Sequence, residues 1–171
     1  MKKEPELEQL SEFLKTFNKE SDRGAALLAS SLLEERLYEI ILAFLSTNST
    51  SKEMLNGYNA PLGSFSSRIN MAYALSLIQK NEFKELHTIR KIRNEFGHDW
   101  RKKDFNHEII KPLCESLPWL GPSGLEEKST LREGFNFAVA ILLADLLWRA
   151  IIVMNEEKRK ERIWPNKLRK P

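Results

Sequence analysis

The 171-residue chain reads as an all-α protein, a single-domain bundle of five to six helices. Two observations carry this reading. Apolar residues recur at intervals of three and four through most of the chain. No convincing strand pattern interrupts them. Only seven glycines and seven prolines are present, which argues against long disordered stretches. One core serves a chain of this length, so residues 1–171 are taken as one domain.

Each element has its own signal. Leu7, Leu10, Phe13, Leu14 and Phe17 define an amphipathic helix over residues 5–19. Ser21-Asp22 can cap a second helix, from about Arg23 to Leu45. It is apolar on several sides, as a central bundle helix is. Residues 48–63 are polar, hold Gly57, Asn59, Pro61 and Gly63, and read as a loop. Ser64 caps a third helix reaching Gln79. Asn81 opens a fourth, ending at Phe96-Gly97 with Gly97 in the left-handed C′ position. A short helix follows over residues 106–116, then a turn-rich connector around Pro118, Gly121, Pro122 and Gly124. Thr130-Leu131-Arg132-Glu133 is a capping box opening a long last helix to about Lys160.

The net charge of +3 is unevenly placed. Residues 156–171 hold seven basic and three acidic groups, whereas the other 155 hold 20 and 21. The body is therefore neutral, and the basic tail, residues 158–171, is the candidate nucleic-acid contact. The single cysteine, Cys114, excludes an intramolecular disulfide and a cysteine-based zinc site; no metal or cofactor is expected, and Cys114 reads as a small core residue. No secretory signal opens the chain, and Asp145 and Arg149 interrupt its most apolar stretch, so a cytoplasmic protein without a membrane span is expected.

Several charges fall on apolar stripes. Leu86, Ile89, Arg93 and Phe96 follow helical spacing, which puts Arg93 where a core residue belongs. Glu34 shares a face with Leu27, Ser31, Tyr38 and Ile41, and Arg68 stands near Phe65, Ala72 and Leu75. An unpaired buried charge is expensive, so an ion-pair cluster of Glu34, Arg68 and Arg93 is expected across the helices. Asp145 and Arg149 are spaced for a structural i,i+4 pair, with a dimer interface as its setting.

Arg93-Asn94-Glu95-Phe96-Gly97-His98 matches the Arg-x(4–6)-His pattern of HEPN-type domains. That resemblance implies an all-helical fold, often homodimeric, and in several members metal-independent cleavage of RNA. A histidine can move the 2′-hydroxyl proton, and an arginine can stabilise the charged phosphorane. Asn94 could bind a phosphate oxygen or fix the histidine. The segment from Arg101 to His107 satisfies the same spacing. The first match is preferred for its Asn after Arg and the amphipathic helix before it. A helix terminus with His98 at the negative dipole end explains the same residues without catalysis.

Three blocks carry a wider resemblance. They are Ser21-Asp22-Arg23-Gly24-Ala25-Ala26-Leu27-Leu28, the run from Pro61 to Ile78, and Leu86 through His98. In this order they resemble the MltR family, named for the mannitol operon repressor, over about residues 21–98. The resemblance implies a transcriptional regulator of sugar-uptake genes that acts through a regulatory protein partner. Carried over by position, its polar residues are Asp22, Arg23, Arg68, Arg93, Asn94 and His98, expected to converge in one cleft. The reading is a non-enzymatic, homodimeric regulator binding through Asp22, Arg23, Glu34, Arg68, Arg93 and His98. The alternative is a HEPN-like ribonuclease or RNA-binding protein using Arg93, Asn94 and His98.

Overall fold

The computed structural model describes residues 5–98, 101 and 103–156. The described chain is helical, with seven α-helices and one short 3-10 turn. In order they are α1 (Pro5–Phe17), α2 (Asp22–Phe44), α3 (Ser49–Leu55), α4 (Phe65–Ala74), α5 (Lys80–His98), α6 (Lys111–Glu115) and α7 (Leu131–Asn155). The all-α class stands, with one helix more than expected.

The added helix is α3, inside the segment read as a loop. It lacks apolar periodicity and is held by its cap. Asn48 Oδ1 accepts from the Ser51 N–H at 2.9 Å, and the Ser51 hydroxyl donates to the Ser46 carbonyl at 2.7 Å. Leu55 then anchors the helix in the core. The chain returns through Gly57 (φ +117°) and Asn59 (φ +60°), both left-handed.

α4 stops five residues short of Gln79. Ser76 takes the left-handed conformation (φ +59°) at C′. Its N–H reaches the Tyr73 carbonyl at 3.0 Å, and the Leu77 N–H reaches the Ala72 carbonyl at 2.8 Å. These bonds form a Schellman ending, with serine where glycine usually signals it. α5 starts at Lys80, because Glu82 Oε2 accepts from the Gln79 N–H at 2.6 Å. At its far end Gly97 is not a left-handed C′ residue: helix continues through it to His98.

The Ser64 and Thr130 caps form as read. Ser64 pairs reciprocally with Ser67, and Thr130 with Glu133. Those Thr130 hydrogen bonds hold the Glu133 carboxyl below its ordinary range.

α2 and α7 are the central helices. α2 buries Ala25, Ala26, Ala29, Leu33, Leu37, Ile40 and Ile41, the alanines allowing close approach of its neighbours. α7 buries nine residues from Phe135 to Val153. By length and mean hydropathy (2.2 over its most apolar window) α7 would suffice to cross a bilayer. Nine of its residues are buried and Arg149 is ion-paired within the fold, so α7 is a core helix of the bundle. An aromatic row closes one end. Phe13, Phe17, Phe135, Phe105 and Phe96 follow one another with ring centroids 4.8–6.3 Å apart.

The other end is closed by charge. Arg149 Nη1 lies 2.6 Å from Glu82 Oε2 on α5 and also donates to the Leu77 carbonyl at 3.3 Å. The expected Asp145–Arg149 pair is therefore replaced by a pair across the bundle. The deeper carboxylate, on Glu82, outcompetes an exposed one because it has less water to solvate it. Asp145 instead adds to the acidity around Glu85, whose carboxyl is held above its usual range by burial and by the Glu82 and Asp145 charges.

Candidate functional site

The expected site residues divide between two regions. α2 carries both Asp22 and Glu34, and twelve residues of helix separate them by about 18 Å. A single cleft holding all of them does not form.

At the aromatic end, Asp22 is a structural clasp. Its Oδ1 lies 3.0 Å from Arg132 Nη1, and its Oδ2 accepts from the Phe105 N–H at 3.1 Å. Arg132 also donates to the Phe17 carbonyl (2.9 Å) and to Asn136 Oδ1 (2.9 Å). Its guanidinium lies over the Phe17 and Phe105 rings at 5.6 and 5.7 Å. One arginine thus ties α1, α2, α7 and the 101–110 connection. Arg23 donates to the Arg101 carbonyl at 2.6 Å in the same knot. Sequence reading missed Arg132, because its position inside a capping box already explained it.

Arg93 is half-buried at the flank of α5, and Ile92 takes the core place on the stripe of Leu86, Ile89 and Phe96. Intervals of three and four fit either residue, and packing against α2 selected the apolar one. Nη1 of Arg93 donates to Asn94 Oδ1 at 3.1 Å. Among the described residues no ion pair links Arg93 to Glu34, so the expected three-residue cluster is reduced to two. His98 is exposed at the end of α5. The basic tail, residues 158–171, lies outside the described residues.

The second region is a pocket of about 310 Å³ between α2, α3 and α4. Ser31, Glu34, Glu35 and Tyr38 line it from one face of α2, Asn56 follows α3, and Arg68 enters from α4. Arg68 is its organiser. Nε donates to the Leu62 carbonyl (2.9 Å), Nη2 to the Leu55 carbonyl (3.0 Å) and Nη1 to the Glu34 carbonyl (3.4 Å). The Glu34 carboxylate is 3.6 Å from Nη1, and the Tyr38 ring lies beneath the guanidinium at 5.2 Å. The Leu55 carbonyl is one of the orphan acceptors at the end of α3, where a cation is doubly favoured. Arg68 thereby fixes the 55–62 return against α2. Asn56 Nδ2 donates to the Tyr38 hydroxyl at 2.9 Å. Glu35 is exposed at the rim. Two carboxylates against one committed guanidinium leave the mouth rich in acceptors, suited to cationic or hydrogen-bond-donating groups.

A further pocket of about 230 Å³ between α6 and the start of α7 is lined by Cys114, Trp119 and Thr130, among others. Cys114 is no nucleophile there: burial, with Asp22 and Glu115 nearby, pushes its thiol up to about 12. Neither pocket is lined by Arg93 or His98. Among the described residues no group of three or more His, Cys, Asp or Glu is placed to hold a metal.

Fold and site together define a class: a helical bundle with an acceptor-rich surface pocket organised by one arginine. No protein-family model matches the chain, and no curated protein matches it in sequence. Among solved structures it is similar to a chain in the X-ray structure of the MtlR–HPr complex from Escherichia coli, at 21% identity and a TM-score of 0.54. The match covers 85% of this chain and 98% of that one. The chain thus has an MltR-like fold, and the likeness reaches well beyond residues 21–98, where sequence blocks resemble the family.

Proposed function

We propose that this chain is an MltR-like regulator, a repressor of mannitol-type sugar-uptake genes that works in the cytoplasm through protein contacts. The observation that carries the reading is the fold likeness, which covers nearly the whole of a chain solved in a complex with HPr. The neutral body supports it, because a domain that gripped DNA directly would need a basic face. Of the six residues expected to bind, Glu34 and Arg68 line a cavity together, so the α2–α3–α4 pocket is the assigned docking surface. Arg68 shapes it, and Glu34 and Glu35 give it charge to offer a partner with basic side chains.

Two measurements test this. Calorimetric titration of the full chain with purified Escherichia coli HPr should show binding, weakened by Glu35→Lys, which leaves the core untouched. Deleting the gene in its host should raise transcription of a mannitol-type uptake operon. Absence of binding at about 100 µM, some tenfold above the dissociation constant of an ordinary transient contact, together with unchanged transcription, overturns the proposal.

A further inference from the structure

α7 turns nine residues into the core, yet its outward face is apolar as well. Phe137, Ile141, Trp148 and Ile152 are 36, 42, 46 and 59% exposed. From 137 to 152 the only other exposed residue of the helix is Asp145. The outward face of a helix in a solvated bundle normally carries charge. Together the four side chains present on the order of 400 Å² of apolar surface, as large as the biggest patch on an ordinary monomer, which is often functional.

The order of these residues says which partner fits. Their intervals are four, seven and four, the same from either end, with the midpoint between Ala144 and Asp145. An antiparallel copy related by a two-fold axis at that midpoint sets Phe137 against Ile152 and Ile141 against Trp148. Ala140 and Ala144, half-exposed along the same face, are small enough to let two helices approach. An isologous contact requires such self-complementarity, and a surface shaped for an unrelated partner does not. We infer that the outward face of α7 is a two-fold homodimer interface in which α7 packs antiparallel on its own copy.

The charges agree. A helix lying on a lipid surface is rich in basic side chains, but Arg132 and Arg149 of α7 are both committed to ion pairs inside the fold. Asp145 is the one dissonant residue. The two-fold axis brings it near its own copy at the edge of the seam, where like charges weaken the pairing and leave the dimer reversible.

Sedimentation of the full chain over a concentration series reads the mass directly. The wild type should become dimeric within the range of about 1–200 µM, as an interface of modest area does. Trp148→Glu and Ile141→Glu should stay monomeric throughout with an unchanged helical circular dichroism spectrum. Asp145→Asn should shift dimerisation to roughly two- to fivefold lower concentration, the reverse of what damage to the fold produces. Register is read by cross-linking: Ala144→Cys should form a disulfide dimer with itself, and Phe137→Cys should do so only when mixed with Ile152→Cys. A wild type that is monomeric throughout, a dimer unmoved by Trp148→Glu, or a dimer that Ala144→Cys fails to trap overturns the inference. None of these outcomes depends on HPr binding, so this inference and the proposed function stand or fall separately.

Discussion

Arg149→Met removes one half of the charge pair that joins the end of α7 to the start of α5. Glu82 is 5% exposed, and its Oε2 has two partners, the Gln79 N–H and Arg149 Nη1, each at 2.6 Å. Methionine matches the arginine stem in volume, so little cavity forms; the cost is a buried carboxylate left with the backbone donor alone. Breaking a buried pair in this way costs about 3–5 kcal/mol. The Arg149 side chain is 24% exposed, so water can replace part of what it gave. The expected loss is therefore about 2–3 kcal/mol, a fall of roughly 4–12 °C in Tm for a chain of this size. Glu82→Gln keeps the shape and an acceptor oxygen, and should cost about 1–2 kcal/mol. In the double variant the two losses should fall short of additive, because the second change finds no pair left to break. Urea unfolding followed by circular dichroism measures all three. A loss below about 0.5 kcal/mol for Arg149→Met, or strictly additive losses, refutes the pairing.

The remaining predictions are more local. Asp145→Asn should change unfolding free energy by no more than about 0.5 kcal/mol at protein concentrations where the chain is monomeric, since Arg149 pairs elsewhere. Ser64→Ala and Thr130→Ala should each cost about 1 kcal/mol through a lost helix cap, read from urea midpoints. Cys114, with its thiol raised to about 12, should react with iodoacetamide at pH 8 only as fast as the chain unfolds. His87 is packed edge-on against Phe83 and hydrogen-bonded to Asn70 Oδ1; burial, then Arg90 and Lys91, hold its imidazole below the ordinary 6.5. In acid the unfolded chain therefore binds the proton more readily. The contribution of His87 is present above pH 6.5 and lost as pH falls through that value toward the folded-state one, and an NMR titration should place its midpoint below 6.5. Wild type and His98→Ala incubated with mixed RNA should show equal, negligible cleavage, as a regulator working through protein contacts requires.

Particular residues show where sequence reading succeeded and where it could not. Ser21, Ser64 and Thr130 were readable as caps because a cap and the amide it satisfies lie three residues apart. The Arg68–Glu34 pair was readable because both residues stood on apolar stripes, and charges there need partners. α3 was missed because seven residues held by an Asn cap leave no periodicity to detect. The end of α4 is not legible in the sequence because Ser76, not glycine, takes the left-handed turn. Helical spacing alone does not separate Arg93 from Ile92, and only packing shows which of the two is buried.

The sequence by itself determined the helical class, most of the helix starts, the neutral body and the apolar wealth of α7. These depend on spacing within a turn or two of helix, or on composition. Only the tertiary structure decided which charges meet. Arg132 reaches Asp22 across 110 residues, Arg149 reaches Glu82 across 67, and Arg68 reaches Glu34 across 34. Coulombic and hydrogen-bond partners are chosen by distance and burial in space. A carboxylate four residues away, such as Asp145, loses to a buried one that packing brings to 2.6 Å.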